Sequence, residues 1–177
     1  MNYQKQLEEL ILQNENSRKK LLLHSCCAQC SSYVLEYLRE YFDITVFFYN
    51  PNISNAVEYE KRLQEEKRLI EAYNKQVESG NFENMNSTEN AGIIKILDIG
   101  YEPSEFFEAV KGYEQCKEGG ERCYKCFELR LGKSAKIAKE GGFDYFTTTL
   151  TISPLKNANW LNEIGRLEGE KEGVLFL

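Results

Sequence analysis

Two hydrophobic periodicities alternate along this chain, and they predict strands alternating with helices. Short apolar runs predict five strands, at residues 21–25, 44–49, 93–97, 143–150 and 174–177. The second run, Ile-Thr-Val-Phe-Phe-Tyr, is almost wholly apolar, which is typical of a strand covered on both faces. Strands that alternate with helices form a parallel sheet with right-handed crossovers. The predicted fold class is therefore α/β.

Apolar residues at helical spacing predict the helices between these strands. They cover a short leading segment with Leu7, Leu10 and Ile11, then residues 31–41, 58–73, a segment beginning at Pro103, 123–139 and 157–167. Residues 76–92 are polar and Asn-rich without periodicity, so we expect a mobile surface loop there. No internal repeat or second boundary is visible, which predicts a single domain over residues 1–177.

Composition narrows the function classes. A chain of 177 residues with 42% hydrophobic residues is ordinary for one globular domain. No apolar run approaches the roughly 20 residues that span a bilayer, so we expect a cytoplasmic protein without a membrane partner. Disulfides are rare in that compartment, and six cysteines there favour metal or redox chemistry. The net charge of −6 argues against indiscriminate nucleic-acid binding.

The cysteines fall into two clusters, each at the start of a predicted helix. Cys26, Cys27 and Cys30 directly follow the first strand, and Cys123 and Cys126 open a later helix. Ligands of open α/β sheets bind beyond the carboxyl ends of strands, and a helix N-terminus favours the thiolate form of cysteine. We therefore expect the fold to bring the two clusters together.

Three kinds of site compete for these cysteines. A thioredoxin-like redox motif matches Cys27 to Cys30 but leaves Cys26 and the second pair unexplained. A structural zinc site uses two Cys-x-x-Cys halves, which usually lie closer in sequence. An iron–sulfur cluster is indifferent to sequence distance, and adjacent cysteines can each bind a different iron. The spacing of the cysteines in the sequence favours the iron–sulfur cluster but does not exclude the zinc site or the redox motif. An isolated cysteine such as Cys116 is most often a small buried side chain.

His24 and the basic residues each allow two interpretations. His24, the only histidine, is either a satisfied side chain at a strand end, or a proton source or hydrogen-bond donor to a cluster. Positive charge gathers on and around the helix at residues 123–139 (Arg122, Lys125, Arg130, Lys133, Lys136 and Lys139). These residues are either a solvated helix face or, with Lys156 and neighbouring hydroxyls, a surface for RNA phosphate and ribose.

Four stretches resemble the non-cobalamin epoxyqueuosine reductases, the QueH family. They are residues 21–32 (LLLHSCCAQCSS), 49–53 (YNPNI) with Glu58, Tyr59 and Arg62, 119–131 (GGERCYKCFELRL), and 144–156 (DYFTTTLTISPLK). The resemblance implies a Rossmann-like fold of the HUP type with about five parallel strands. It also implies a [4Fe-4S] cluster and the reduction of epoxyqueuosine to queuosine at the wobble position of tRNA.

The resemblance also assigns residues. Cys26, Cys27, Cys123 and Cys126 would bind the cluster, and Cys30 an additional iron. From their positions and chemistry in the sequence, Cys30 and His24 are the catalytic candidates, and Lys125, Arg130 and Lys156 are the candidates for tRNA contact. Cysteines stand where nucleotide-binding relatives carry a phosphate loop, which argues against ATP use.

Family members continue into a Tyr-Cys-Gly-Cys segment that this sequence lacks. We therefore expect a chain truncated at its C-terminus that depends on an electron donor the sequence does not identify. The alternative functions are a zinc-stabilised, non-catalytic binding module and a thiol–disulfide oxidoreductase.

Overall fold

A five-stranded parallel sheet flanked by helices is seen in the computed structural model, which describes residues 3–14, 17–82 and 89–177. The strands are β1 (Lys19–Ser25), β2 (Phe42–Phe48), β3 (Lys95–Asp98), β4 (Tyr145–Thr148) and β5 (Leu175–Phe176). The helices are α1 (Tyr3–Gln13), α2 (Ala28–Leu38), α3 (Ala56–Ser79), α4 (Ser104–Ala109), α5 (Glu121–Glu140) and α6 (Ala158–Glu172). The strand order is β3-β2-β1-β4-β5, and every neighbouring pair is parallel. The predicted α/β class is confirmed.

The central strand β1 separates two hydrophobic layers. Leu21 and Leu23 point into a cluster formed mainly with α2 and β2, whereas Leu22 points into a cluster with α5 and β4. All three leucines have no solvent exposure. Because side chains alternate along a strand, His24 continues the α5 side of the sheet and Ser25 the α2 side. The end of β1 therefore presents different groups to its two faces.

Two of the differences between the predicted and observed boundaries have a visible local cause. The apolar run at residues 143–150 is not one strand, because β4 gives way to a 3-10 turn (Thr149–Ile152), where the Thr148 hydroxyl accepts a hydrogen bond from the Leu150 N–H at 3.2 Å. The predicted loop at residues 76–92 begins later than expected, because α3 continues to Ser79 and ends at Gly80 with φ +66. Arg39 holds Gln76 in that last part of the helix by a 2.7 Å hydrogen bond. Residues 83–88 of the predicted loop lie outside the described residues.

Among the described residues, no helix combines the length and the apolar character that crossing a membrane requires.

Candidate metal centre

Three cysteine thiols converge where β1 ends and α2 begins, and we call residues 26–30 the first cysteine turn. The sulfur atoms of Cys26, Cys27 and Cys30 all lie within 4.8 Å of one another. Cys27 is the N-cap of α2 in extended conformation, and its carbonyl accepts the N–H groups of Cys30 and Ser31, each at 3.1 Å. This cap folds the chain back so that Cys30 meets the two preceding cysteines. Three convergent thiols are a donor set for a soft or borderline metal ion.

The three thiols differ in acidity because they interact. The Cys26 thiol donates a hydrogen bond to the Cys27 sulfur at 3.8 Å. That bond lowers the pKa of Cys27 to about 5 and raises the pKa of Cys26. Burial raises the pKa of Cys30, and the positive charge of Lys156 partly offsets this effect. Cys27 is therefore the thiolate of the group at neutral pH, and a bound metal would displace the protons of the other two.

The second cysteine turn, residues 119–126, has the same Cys-x-x-Cys spacing but another position relative to its helix. The N-cap of α5 is Gly120, so Cys123 and Cys126 both lie inside the helix. Cys123 accepts a hydrogen bond from the Gly119 N–H at 3.3 Å. Cys26 and Cys123 pack against the same apolar cluster, whose buried members are Phe127, Leu131, Leu150, Leu161 and Ile164. The fold thus brings the two turns to one cluster, although the 4.8 Å group contains only the first three cysteines among the described residues.

His24 is fully buried behind the first turn, and both ring nitrogens have partners. Nδ1 lies 2.8 Å from the Thr148 hydroxyl, and Nε2 lies 3.0 Å from the Tyr49 carbonyl. Burial, together with the charge of Arg130, holds the pKa of His24 well below its usual value. The ring is therefore neutral and internally satisfied, which supports the interpretation of a partnered side chain at a strand end.

Arg130 is not on the surface where the sequence analysis expected it. Its side chain is only 3% exposed, and its Nε lies 3.2 Å from Nε2 of His24. Its Nη2 donates to Oδ1 of Asn50 at 2.6 Å. Asn50 in turn donates to the carbonyl of Ser25 at 2.9 Å, directly before the first cysteine turn. Arg130 therefore belongs to the inside of the site and not to a basic surface for tRNA.

The other two basic candidates remain at the surface. Lys125 pairs with Glu128 at 2.7 Å, and both side chains are more than one-third exposed. Burial raises the pKa of Cys126, and the charges of Arg130 and Lys156 partly offset it. The charge of Lys156 also acts to lower the pKa of Cys30, so Lys156 lies within electrostatic reach of both cysteine turns.

Three further residues at the site were missed by the sequence analysis. The hydroxyl of Thr149 lies 3.4 Å from the Cys26 backbone nitrogen and 3.7 Å from its sulfur. Asn50 links Ser25 to Arg130, and it lies in the YNPNI stretch, whose resemblance to the family could have indicated a residue of the site. Glu66 is fully buried on α3, and neither carboxylate oxygen has a hydrogen-bond partner among the described residues. Its helical spacing with Leu63 and Ile70 places it on the buried stripe of α3, which was also visible in the sequence.

Glu66 lies on the α2 side of the sheet, behind the first cysteine turn. Burial raises the pKa of Glu66 to about 7, although the nearby Ser31 and Ser25 hydroxyls act in the opposite direction. Those two hydroxyls lie 2.5 Å apart, and Ser31 donates to the Cys27 carbonyl at 3.0 Å. Behind the first turn there is therefore a buried acid, Glu66, on the α2 side of β1 and a buried cation, Arg130, on the α5 side.

This chain is similar to known proteins of one family. The model of the family described as Epoxyqueuosine reductase QueH matches residues 21–177. The epoxyqueuosine reductase QueH of Staphylococcus aureus is 42% identical over 169 residues, which are 93% of this chain and 65% of that protein. The protein of the same name from Streptococcus pyogenes is 38% identical over 93% of this chain and 60% of its own length. That of Thermotoga maritima is 34% identical over 88% of this chain and 71% of its own length.

The matches cover most of this chain but only part of each relative. This chain spans 65%, 66% and 60% of the length of the first three curated relatives. The family match nevertheless includes both cysteine turns, His24, Asn50 and Arg130, because all of them lie within residues 21–177. The chain belongs to the QueH family, described as epoxyqueuosine reductases.

Proposed function

We propose that this chain is an iron–sulfur oxidoreductase that converts epoxyqueuosine to queuosine in tRNA. The observation that carries the proposal is the convergence of three thiols within 4.8 Å at the carboxyl end of β1, in a chain that belongs to this family. A site built beyond a central parallel strand is the usual ligand position of an open α/β sheet. The substrate class comes from the names of the relatives and is part of the proposal.

The donor set fits a [4Fe-4S] cluster. In this proposal Cys26, Cys27, Cys123 and Cys126 hold the cluster, and Cys30 binds an additional iron. The low pKa of Cys27 supports this assignment, because metal binding requires the thiolate. The packing of Cys26 and Cys123 against one apolar cluster supports the participation of both turns. When bound, such a cluster supplies single electrons, and an iron with an open position acts as a Lewis acid toward oxygen.

The overall reaction determines how many electrons and protons the site must receive. Removing the epoxide oxygen breaks two C–O bonds, forms one alkene and releases water, which consumes two electrons and two protons. The electrons come from a donor that we leave unidentified. His24 is neutral, buried and partnered at both nitrogens, so we assign it the positioning of the Thr148 hydroxyl and the Tyr49 carbonyl around the site and not proton supply.

The tRNA contacts are proposed at the surface around the two turns. Lys156 and Lys125 are the basic residues retained for phosphate contact, because phosphate contacts position a nucleic acid without reading sequence. Arg130 is removed from that set by its burial. The hydroxyls of Thr147 and Thr151 are also used internally, since they donate to the carbonyls of Leu177 and Thr148 at 2.7 and 3.1 Å. The proposal includes a cytoplasmic location, because the proposed substrate is tRNA.

The test is anaerobic reconstitution with iron and sulfide, followed by turnover of tRNA carrying epoxyqueuosine with dithionite as reductant. Nucleoside mass spectrometry should detect queuosine with the unmodified chain and none with Cys27→Ala. Cys116→Ala is the matched control, because Cys116 lies outside both clusters, and it should keep iron and product. A colourless protein that takes up zinc but no iron–sulfur cluster, and yields no queuosine, would refute the proposal.

A further inference from the structure

Arg130 is a buried cation without a carboxylate partner. It is 3% exposed, and none of the ion pairs among the described residues includes it. Its hydrogen-bond partners, the imidazole of His24 and the amide of Asn50, are both uncharged. A buried charge is costly unless an opposite charge compensates it. A negatively charged group bound close to this guanidinium would therefore be stabilised by it.

The cysteines of the two turns are the candidates for that negative charge. They must lose their protons to bind a metal, so a bound group carries thiolates. The phenol of Tyr49 is a poorer candidate, because burial and Glu105 keep its pKa raised. A metal–thiolate group bound by the two turns is therefore the anion that this guanidinium would compensate.

The position of the guanidinium is fixed relative to the first cysteine turn. Arg130 donates to Asn50, and Asn50 donates to the carbonyl of Ser25, the residue that precedes Cys26. Arg130 also lies one helical turn after Cys126 on α5. The guanidinium is therefore fixed to the first turn through Asn50 and to the second turn through the helix that carries both residues.

We propose that Arg130 is the buried counter-cation of the group held by the two cysteine turns, and that its charge stabilises the more negative, reduced state of that group. The statement about the reduced state rests on the proposed function, because it requires a redox-active group. The charge pairing with thiolates does not, and a metal ion without redox chemistry tests it separately. Arg130 is a positioning and electrostatic residue here, since nothing places it against substrate.

The first experiment titrates metal-free protein with Cd²⁺ against a competing chelator. Arg130→Lys keeps the positive charge and Arg130→Gln removes it, while both remove the forked geometry of the guanidinium. We expect Arg130→Lys to bind Cd²⁺ within a few-fold of the unmodified chain and Arg130→Gln to bind it roughly tenfold or more weakly, as a lost charge interaction in a partly buried site implies. Lys136→Gln removes an exposed charge from the same helix and should bind Cd²⁺ like the unmodified chain.

The second experiment reconstitutes the same proteins with iron and sulfide and measures the midpoint potential. Arg130→Gln should shift the potential to more negative values, whereas Arg130→Lys should stay near the unmodified chain. Circular dichroism checks folding, and Arg130→Met replaces the glutamine variant if that variant unfolds.

Equal losses in the lysine and glutamine variants, or no loss in either, would overturn the proposal, because Arg130 would then act only through its geometry or not at all. Failure of the unmodified chain to assemble any iron–sulfur group would refute the proposed function. The Cd²⁺ series would still decide whether Arg130 is the counter-cation.

Discussion

The two cysteine turns share a Cys-x-x-Cys spacing and differ in where that spacing meets the helix. In the first turn Cys27 is the N-cap and Cys30 lies within α2, so the chain bends between them and the thiols of this turn approach within 4.8 Å of one another. In the second turn Cys123 and Cys126 both follow the N-cap Gly120, on consecutive positions of one helical face. The position of the Cys-x-x-Cys motif relative to the helix N-cap therefore determines whether the turn by itself brings its thiols together.

The charges behind the two turns differ as well. Cys27 has its pKa lowered to about 5 by a neighbouring thiol, without a buried cation in contact. Cys126 has its pKa raised by burial and receives its compensation from Arg130. The first turn thus contains a thiolate that its own thiols stabilise, with Arg130 acting on Cys26 as well, whereas Cys126 in the second turn relies on the charges of Arg130 and Lys156. This difference predicts that substitutions in the two turns have different effects on metal binding.

The largest effect is expected from removing one turn at a time. The double variant Cys26→Ala, Cys27→Ala should lose more than about a hundredfold in Cd²⁺ affinity and all iron, because only one thiol of the convergent group remains. The double variant Cys123→Ala, Cys126→Ala should lose the iron–sulfur group but keep Cd²⁺ affinity within a few-fold. Chelator competition and iron analysis measure the two properties. Equal Cd²⁺ losses in both variants would show that the turns act as one site.

The next effect concerns the residue that links the turns. Asn50→Ala removes the amide that joins Ser25 to Arg130 and should lower the free energy of unfolding by about 3–4 kcal/mol, since it leaves a buried cation and a carbonyl short of partners. Asn52→Ala is the matched control in the same turn, because the buried Oδ1 of Asn52 has no partner among the described residues. Chemical denaturation should show a loss of about 1 kcal/mol or less for that control. Similar losses for both asparagines would argue against the link.

The buried acid behind the first turn gives a pH-dependent effect. The pKa of Glu66 is raised to about 7 in the folded protein, so the folded state binds this proton more tightly than the unfolded state does. The associated stability is complete below the unfolded pKa and is lost as pH rises through about 7. Glu66→Gln stays neutral, so it should match the unmodified chain near pH 4 and exceed its stability by roughly 2–3 kcal/mol near pH 8.

Thermal and denaturant unfolding of both proteins across this pH range tests the expectation. Glu65→Gln is the control, because Glu65 is exposed on the same helix and pairs with Arg68 at the surface. The difference between the unmodified chain and Glu65→Gln should change little with pH. A stability difference for Glu66→Gln that shrinks as the pH rises would contradict the assignment of a neutral, buried Glu66.

The smallest effect separates the two surface lysines in tRNA binding. Lys156→Gln should reduce the slope of log affinity against log salt by about 1, the value for one lost phosphate contact. Lys125→Gln should reduce it less, because Lys125 is engaged with Glu128 at 2.7 Å. Filter binding over a salt series measures both slopes. Unchanged slopes in both variants would remove these lysines from the proposed tRNA surface.

Local features could be predicted from the amino-acid pattern. The apolar runs located the strands, with Leu21, Leu22 and Leu23 entirely buried as a central strand requires. The position of Cys26, Cys27 and Cys30 between a strand and a helix start was also readable, because strand, cap and helix signals are local in sequence. The resemblance of four stretches to one family was confirmed by the match over residues 21–177. Boundaries moved where a side chain, such as the Thr148 hydroxyl, ended an element.

Which charged side chains are buried could be seen only in the folded chain. Arg130 looks like one of several basic residues on a helix, yet it shares the buried stripe of α5 with Phe127 and Ser134. Glu66 likewise sits among charged residues of α3 but has no exposure. Whether such a group is a solvated charge or a buried one depends on residues far away in the chain, here Asn50 for Arg130 and Ser31 for Glu66. Periodicity predicts the face on which a side chain lies, but its charge environment is set by partners that only the fold brings near.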